Sequence, residues 1–284
     1  MHIAVTGASG KLGTVVAAEL AAEGHEVLRM DAVGSRAPDF VRVDLTDYGQ
    51  VADVLAGLDE HAPLDAVVHL GAVPAPGLIP DAATFHNNMN ATFNVFQGAR
   101  RAGIRSIVHA SSETVLGLPF DVAPPYVPVD ERYPTRPESV YSLVKHLEEE
   151  LATKLVRWDD ALSITALRFS NVMVPSDYAE FESWQDDPAS RKWNLWGYID
   201  ARDGAQAISR ALARNAPGFD RFIIAAADTV MRRDSTELLD EFFPQLERTR
   251  EIHGRETLLG IDSAREALGY DPQHSWLDEV PSVG

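Results

Sequence analysis

The sequence predicts an α/β fold, a doubly wound parallel sheet with helices on both faces and a small C-terminal α/β annex. Three observations carry that prediction. Short, nearly continuous apolar runs such as Asp65-Ala66-Val67-Val68-His69-Leu70 recur along the first 170 residues. They alternate with stretches whose apolar residues fall at helical spacing, and repeated βα units of this kind specify parallel strands buried on both sides. The first strand-to-helix junction is also rich in glycine, with Gly7, Gly10 and Gly13 following an apolar run.

His2-Ile3-Ala4-Val5-Thr6 reads as the first strand. Leu12, Val15, Val16 and Leu20 then recur at helical spacing as far as Gly24. A second strand, His25 to Met30, ends at Asp31. Val41-Arg42-Val43 reads as a third, after which Thr46 or Asp47 caps a helix carrying Val51, Val54, Leu55 and Leu58. The strand Asp65–Leu70 closes at Gly71-Ala72 and a Pro-rich loop, a helix spans roughly 82–102, and Arg105 to Ala110 is a further clear strand. Tyr141 and Lys145 sit on the next long helix, ending near Trp158 before a strand from Ser163 to Arg168. Beyond residue 170 the texture changes. A Trp-, Asp- and Ser-rich stretch from Pro175 to Trp196 precedes Tyr198-Ile199-Asp200, a helix over 203–214, a strand near 221–225 and helices near 235–243 and 262–268. The expected organisation is a Rossmann-like domain over 1–170 and a small substrate-binding annex over 171–284, with some annex segments returning to the main sheet.

At 284 residues and 45% apolar content the chain can bury a full core. A net charge of −18 argues against nucleic acid or an anionic membrane as partner, because both demand clustered Lys and Arg. With no cysteine, disulfides, thiolate metal sites and a Cys nucleophile are excluded. The sequence shows neither a signal peptide nor a transmembrane run, so a cytoplasmic protein is expected. His69, His109 and His146 lack metal-ligand spacing and read as packing or surface histidines; no metal is expected.

The glycine-rich junction has a chemical reading. Glycines at 7, 10 and 13 remove Cβ atoms where the chain turns sharply and where a helix start approaches a pyrophosphate. The helix N-terminus offers unpaired N–H groups and a positive dipole end to those phosphates. Asp31 stands eighteen residues after Gly13, near the spacing of a ribose-binding acid. Its carboxylate accepts from both ribose hydroxyls and repels a 2′-phosphate, which favours NAD over NADP. Arg36, in the loop beyond, is the residue that opposes this preference. In a doubly wound sheet, Gly7, Asp31, Gly71 and Ser111/Ser112 all converge at the carboxyl ends of the strands.

Tyr141 and Lys145, at i and i+4 on one helix, share a face. A phenol near pKa 10 is a poor base, but an adjacent ammonium and an oxidised nicotinamide both favour the phenolate. Tyr141 then exchanges the proton of a substrate hydroxyl while hydride moves to or from the ring, and Lys145 also binds the nicotinamide ribose.

With these pieces together, the chain resembles the extended short-chain dehydrogenase/reductase family, of the NAD-dependent epimerase/dehydratase type, over nearly its whole length. The matching segments are Thr6 to Gly13, Asp44-Leu45, His69 to Ala72, Asn87 to Thr92, Ser111 to Gly117, Tyr141 to Lys145 and Leu167 to Asn171. The resemblance implies that Asp44 and Leu45 flank the adenine, that the Gly71-Ala72 backbone lines the cofactor, and that Ser112 bonds the reacting oxygen beside Tyr141. It further implies that Ser9, Lys11, Leu12, Leu70, Asn88 and Ala110 border the cofactor. Val73, Glu113 and Asn171 would face the substrate. A homodimer paired through the Tyr141 helix and the one before it is implied as well, in keeping with the surplus of apolar Val140, Leu143, Val144, Leu147 and Leu151.

Departures from the family pattern narrow the chemistry. Where family dehydratases carry an Asp-Glu pair after the catalytic hydroxyl residue, this chain has Glu113 and Thr114, which argues against dehydration. Trp196 stands where nucleotide-sugar enzymes often place a diphosphate-binding Arg, leaving Arg191, Lys192, Arg250 and Arg255 as candidates for that task. The compact annex and its Trp-rich stretch are similar to the small uronate-dehydrogenase-like members. Trp184, Trp193 and Trp196 read first as annex packing and second as an apolar face for a sugar ring. The expected activity is hydride transfer at a carbinol of a sugar or nucleotide-sugar through Ser112, Tyr141 and Lys145. A uronate-like dehydrogenase releasing NADH is the alternative, and a non-catalytic dinucleotide-binding redox sensor is the alternative of another class.

Overall fold

The computed structural model describes residues 1–35, 37–57, 63–120 and 122–280. Arg36 and Leu58 therefore lie outside the described residues. The first half alternates strand and helix: β1 (His2–Thr6), α1 (Lys11–Ala22), β2 (Glu26–Asp31), β3 (Phe40–Arg42), α2 (Tyr48–Leu55), β4 (Ala66–His69), α3 (Asp81–Ala102) and β5 (Ser106–Ser112). There follow β6 (Tyr126–Val127), α4 (Val140–Trp158), β7 (Ser163–Phe169), β8 (Val172–Met173), α5 (Phe181–Trp184), β9 (Ile199–Asp200), α6 (Ala201–Arg214) and β10 (Gly218–Ile224). The chain ends with α7 (Ser235–Phe242), β11 (Glu247–Arg248), α8 (Asp262–Leu268) and α9 (Trp276–Glu279).

Seven strands form one sheet in the order β10-β7-β5-β4-β1-β2-β3, and every pairing in it is parallel. The strands are as apolar as their two-sided burial requires: all four residues of β4 and all seven of β7 are buried. Alternation divides the core between the faces. Ile3 and Val5 pack with Val16 and Leu20 of α1 and Ile208 and Leu212 of α6. Ala4 packs the other way, with Val51 and Val54 of α2, Phe96 of α3 and Leu155 of α4. That is the doubly wound α/β architecture the sequence implied.

Beyond β7 the described residues form a C-terminal α/β extension. Two-residue strands make small pairs there, β8 with β9 and β11 with β6, while β10 returns to extend the main sheet beside β7. The β6–β11 pair and α9 have no apolar period long enough to be read from sequence. At α2, Asp47 rather than Thr46 is the cap, its carboxylate accepting from Gly49 and Gln50 amides at 2.8 and 3.3 Å. The Trp-rich stretch is mostly packing: Trp196 is wholly buried against Phe242 and Phe243. Among the described residues no helix is long and apolar enough to cross a membrane.

Candidate active site

The winding reverses at β1, which lies between β2 and β4, and the carboxyl ends of these strands open into a cavity of about 940 Å³. The glycines at its floor are there for lack of space. Gly7 has φ +68°, and a Cβ on it would meet the Gly71 backbone nitrogen at 2.7 Å; one on Gly13 would meet the Gly7 carbonyl oxygen at 2.1 Å. Helix α1 starts at Gly10 with no side chain capping its first turn. Asp31 stands at the rim, its carboxylate accepting from the Ser9 and Val33 amides at 2.9 and 3.2 Å. Thr6 ties the two floor strands: its hydroxyl oxygen accepts from the Leu70 and Gly71 amides, each at 3.2 Å.

Most of the expected residues line this cavity: Gly7, Ser9, Gly10, Lys11, Leu12, Asp31, Asp44, Leu45, Gly71, Ala72, Val73, Ala110, Ser112, Glu113, Tyr141 and Asn171. Four stand behind its wall. Gly13 lies under Gly7, and Leu70 precedes the wall residue Gly71. Asn88 is wholly buried, its amide clamping Val73 by accepting from the Val73 N–H at 2.7 Å and donating to its carbonyl at 3.0 Å. Lys145 lies beneath Tyr141, with Nζ 5.9 Å from the ring centroid. Two of the lining residues are also held locally. Asp44 accepts from the Thr46 amide and hydroxyl at 2.9 and 2.7 Å, and the Lys11 ammonium meets Asp177 at 2.6 Å.

Tyr141 is set on the first turn of α4 by a capping box in which Ser139 and Ser142 each bond the other's backbone N–H. Ser112, at the end of β5, accepts from the Thr114 amide and hydroxyl at 3.2 and 3.0 Å, which leaves its own proton to bond outward. Lys145 donates to the Ala110 carbonyl and to Glu148, both at 2.9 Å. Glu148 is wholly buried; it also accepts from Thr92 at 2.8 Å and lies 3.1 Å from His109 Nε2. His69 stacks on His109 with centroids 5.6 Å apart and joins Thr92 to Thr6 through contacts of 3.0 and 2.8 Å. A buried polar chain thus runs from Thr6 under the glycine turn to the ammonium beside the phenol.

Burial opposes ionisation of Glu148, but the Lys145 ammonium and His109 outweigh it and bring its pKa down to about 2. Burial likewise opposes charge on Lys145, and Glu148 more than compensates, holding the ammonium protonated. For Tyr141 burial wins: its pKa goes up despite the opposing ammonium and Ser112, with Glu148 and Glu113 adding to the rise. The Lys145 ammonium does favour the phenolate, as the sequence reading has it, but burial outweighs it. Burial pushes both His69 and His109 down, so the stacked pair is neutral.

At the other end of the cavity Glu113 is buried and accepts from Ser170 at 2.6 Å and Asn194 at 3.2 Å. Burial pushes its pKa up to about 7 against these hydrogen bonds and Arg191. Arg191 does not reach the cavity. Its guanidinium stands 4.4 Å from the Trp184 ring centroid and 5.0 Å from that of Trp193, and contacts Asn171, whose amide oxygen turned towards it lies 3.1 Å from Nη2. Trp193 lines the cavity and Lys192 does not. Arg250 and Arg255 border a second cavity of about 580 Å³ that shares none of the first one's described lining.

Comparison with known proteins agrees with this geometry. Residues 3–225 match the NAD dependent epimerase/dehydratase family. The chain belongs to that family. A UDP-glucose 4-epimerase of Mycolicibacterium smegmatis is 32% identical over 308 residues, covering 96% of this chain and 94% of that protein. One from Bacillus subtilis is 28% identical over 188 residues, and a uronate dehydrogenase of Pseudomonas syringae is 30% identical over 158 residues. The chain spans about half the length of these last two, 52% and 53%. Of solved structures, a short-chain dehydrogenase/reductase superfamily protein from Agrobacterium tumefaciens with bound NAD shares the fold at TM-score 0.75 and 23% identity, over 98% of this chain and 94% of that one.

The matching family is described as NAD dependent, and the residues of the cavity fit that cofactor. Only backbone that lacks Cβ atoms at 7 and 13 leaves the floor open to a pyrophosphate, and α1 presents its first-turn amides uncapped. Asp31 retains carboxylate lone pairs for ribose hydroxyls. The residues missed in the sequence are Glu148, His109, Thr92 and Thr6. They come from four separate elements, and the available signal was a histidine on each of two buried-looking strands, His69 on β4 and His109 on β5, read as packing or surface histidines.

Proposed function

We propose that the protein transfers hydride at one carbinol of a sugar or nucleotide-sugar through Ser112, Tyr141 and Lys145. NAD, when bound, supplies the hydride acceptor and donor. Tyr141 takes the proton of the substrate hydroxyl, or returns it, and Ser112 donates to the same oxygen to hold it in line. Lys145 keeps a positive charge beside the phenol, and Glu148 keeps Lys145 protonated and in place. The supporting observation is that Ser112 and Tyr141 share the cavity wall while Lys145 lies behind the phenol ring, 5.9 Å from its centroid. Glu113 without an adjacent acid speaks against dehydration.

The test mixes purified protein with NAD and a panel of sugars, uronates and UDP- or dTDP-sugars, following NADH and sugar isomers together. Stoichiometric NADH identifies a net dehydrogenase, including the uronate-like alternative; interconversion without NADH identifies an epimerase. A Tyr141→Phe protein with undiminished turnover ends the proposal, and NAD binding with no turnover at all favours a redox sensor. We infer also that two copies pair through α3 and α4, whose outward side leaves Phe93 and Leu143 exposed.

A further inference from the structure

Resting on the carbinol reading above, we propose that the site takes an uncharged, unphosphorylated sugar, and that Glu113 selects it by bonding a substrate hydroxyl at an end of the cavity where no cation is among the described lining residues. Among the described residues lining the cavity, Lys11 is the sole cation. It belongs to the glycine turn and is already paired with Asp177. The other charged wall residues, Asp31, Asp44 and Glu113, are acids.

Of the four basic residues considered for a substrate anion, Lys192 does not line the cavity, and the other three are engaged elsewhere. Arg191, next to the substrate end, is stacked on Trp184 and Trp193 and bonded to Asn171, on the far side of the wall. Arg250 and Arg255 face the second cavity. A uronate carboxylate or a sugar diphosphate entering beside Glu113 would lose its water and meet no cation among the described lining residues, the arrangement that makes a buried charge costly. A neutral polyol meets no such penalty.

Glu113 has room for such a ligand. Its carboxyl accepts from Ser170 at 2.6 Å, from Asn194 at 3.2 Å and from the Asn171 backbone N–H, out of roughly four lone-pair sites on a carboxylate. A sugar hydroxyl donates to the remaining sites when the carboxyl is ionised and accepts from it when it is protonated. With a pKa raised to about 7, both forms exist near neutrality, and both suit a hydroxyl. Trp193, on the same wall, offers an aromatic face to ring C–H groups.

The experiment compares free aldoses, the matching uronates and the matching UDP-sugars as substrates with NAD. The expected kcat/KM for the best aldose exceeds that of its charged counterparts by ~100-fold or more. Glu113→Gln should raise the aldose KM about tenfold, with a smaller change in kcat, and narrow the preference against uronates. Tyr141-dependent turnover that favours a uronate or UDP-sugar overturns this proposal and leaves the carbinol reading standing. Turnover indifferent to Tyr141→Phe overturns the carbinol reading instead. No turnover of any free aldose also overturns the present proposal, and because the panel uses the unmodified protein, it decides even if Glu113→Gln fails to fold.

Discussion

Lys145 and Glu148 form an ion pair almost wholly removed from solvent, with Nζ 2.9 Å from Oε2 and side chains 4% and 0% exposed. Two buried charges are tolerable only when each compensates the other and further hydrogen bonds complete the pair. Ala110 and Thr92 supply them here, and His109 Nε2 lies 3.1 Å from Glu148. The pairing has a chemical side effect. It screens the ammonium from Tyr141 and sets a second negative charge near the phenol, which burial already holds above its ordinary pKa.

Glu148→Gln should therefore ease ionisation of Tyr141. Groups facing the phenol are Lys145, Ser112, Glu148 and Glu113, and of these only Glu148 and Glu113 push its pKa up. With a negative charge removed and Lys145 still protonated, the limb of kcat/KM for sugar oxidation that rises with pH moves to lower pH, by about one unit. A pH–rate profile measures it. An unmoved limb with reduced rate would make Glu148 a purely structural support.

Glu113 makes folding stability fall as pH rises. Its folded pKa, about 7, is above the ordinary 4.5 of an unfolded glutamate, so the native state binds more protons between those values. Stability contributed by the neutral carboxyl is full below pH 4.5 and is lost as pH rises to about 7. Glu113→Gln removes the titration. Thermal melting at pH 5 and pH 8 should show the variant losing less stability across that interval than the parent.

Gly71→Ala and Gly7→Ala should fail in different ways. At Gly71 an added Cβ meets Leu45 Cδ1 at 2.3 Å, the end of a flexible side chain that can swing into the cavity. Folding should survive, with NAD affinity down roughly tenfold by titration. At Gly7 the clash is with backbone at 2.7 Å and φ is +68°, a conformation costing a non-glycine residue about 1–3 kcal/mol by itself. Its melting temperature should drop even without cofactor.

Pairing of two copies through α3 and α4 is tested by charge. Phe93 is 46% and Leu143 38% exposed, and a Glu at both positions should shift sedimentation at micromolar concentration from dimer to monomer. A parent protein that sediments only as monomer removes the proposal.

The sheet was legible because its strands are buried on both faces and so appear as unbroken apolar runs, each followed by a helical period. The glycines were legible for a related reason: close backbone approach at Gly7 and Gly13 imposes fixed spacings near one strand end. Lys145 was found by its i+4 relation to Tyr141. Its partner Glu148 was not, because the contacts that define it, to Thr92 on α3 and His109 on β5, join positions 56 and 39 residues away. Helix period marks Glu148 only as a polar residue; nothing local says that it points inward. For Arg191 the signal ran the other way. A cation near the substrate end invites a ligand role, and only packing reveals that two indoles have taken it out of reach.

The contact between Lys11 and Asp177 joins the glycine turn to a segment 166 residues further along. With the lysine side chain 47% exposed, that link is a latch reached by bulk ions, unlike the dry pair beneath Tyr141. Concentrated salt should loosen it first, quickening the entry and escape of dinucleotide while the proton-transfer machinery keeps its shape.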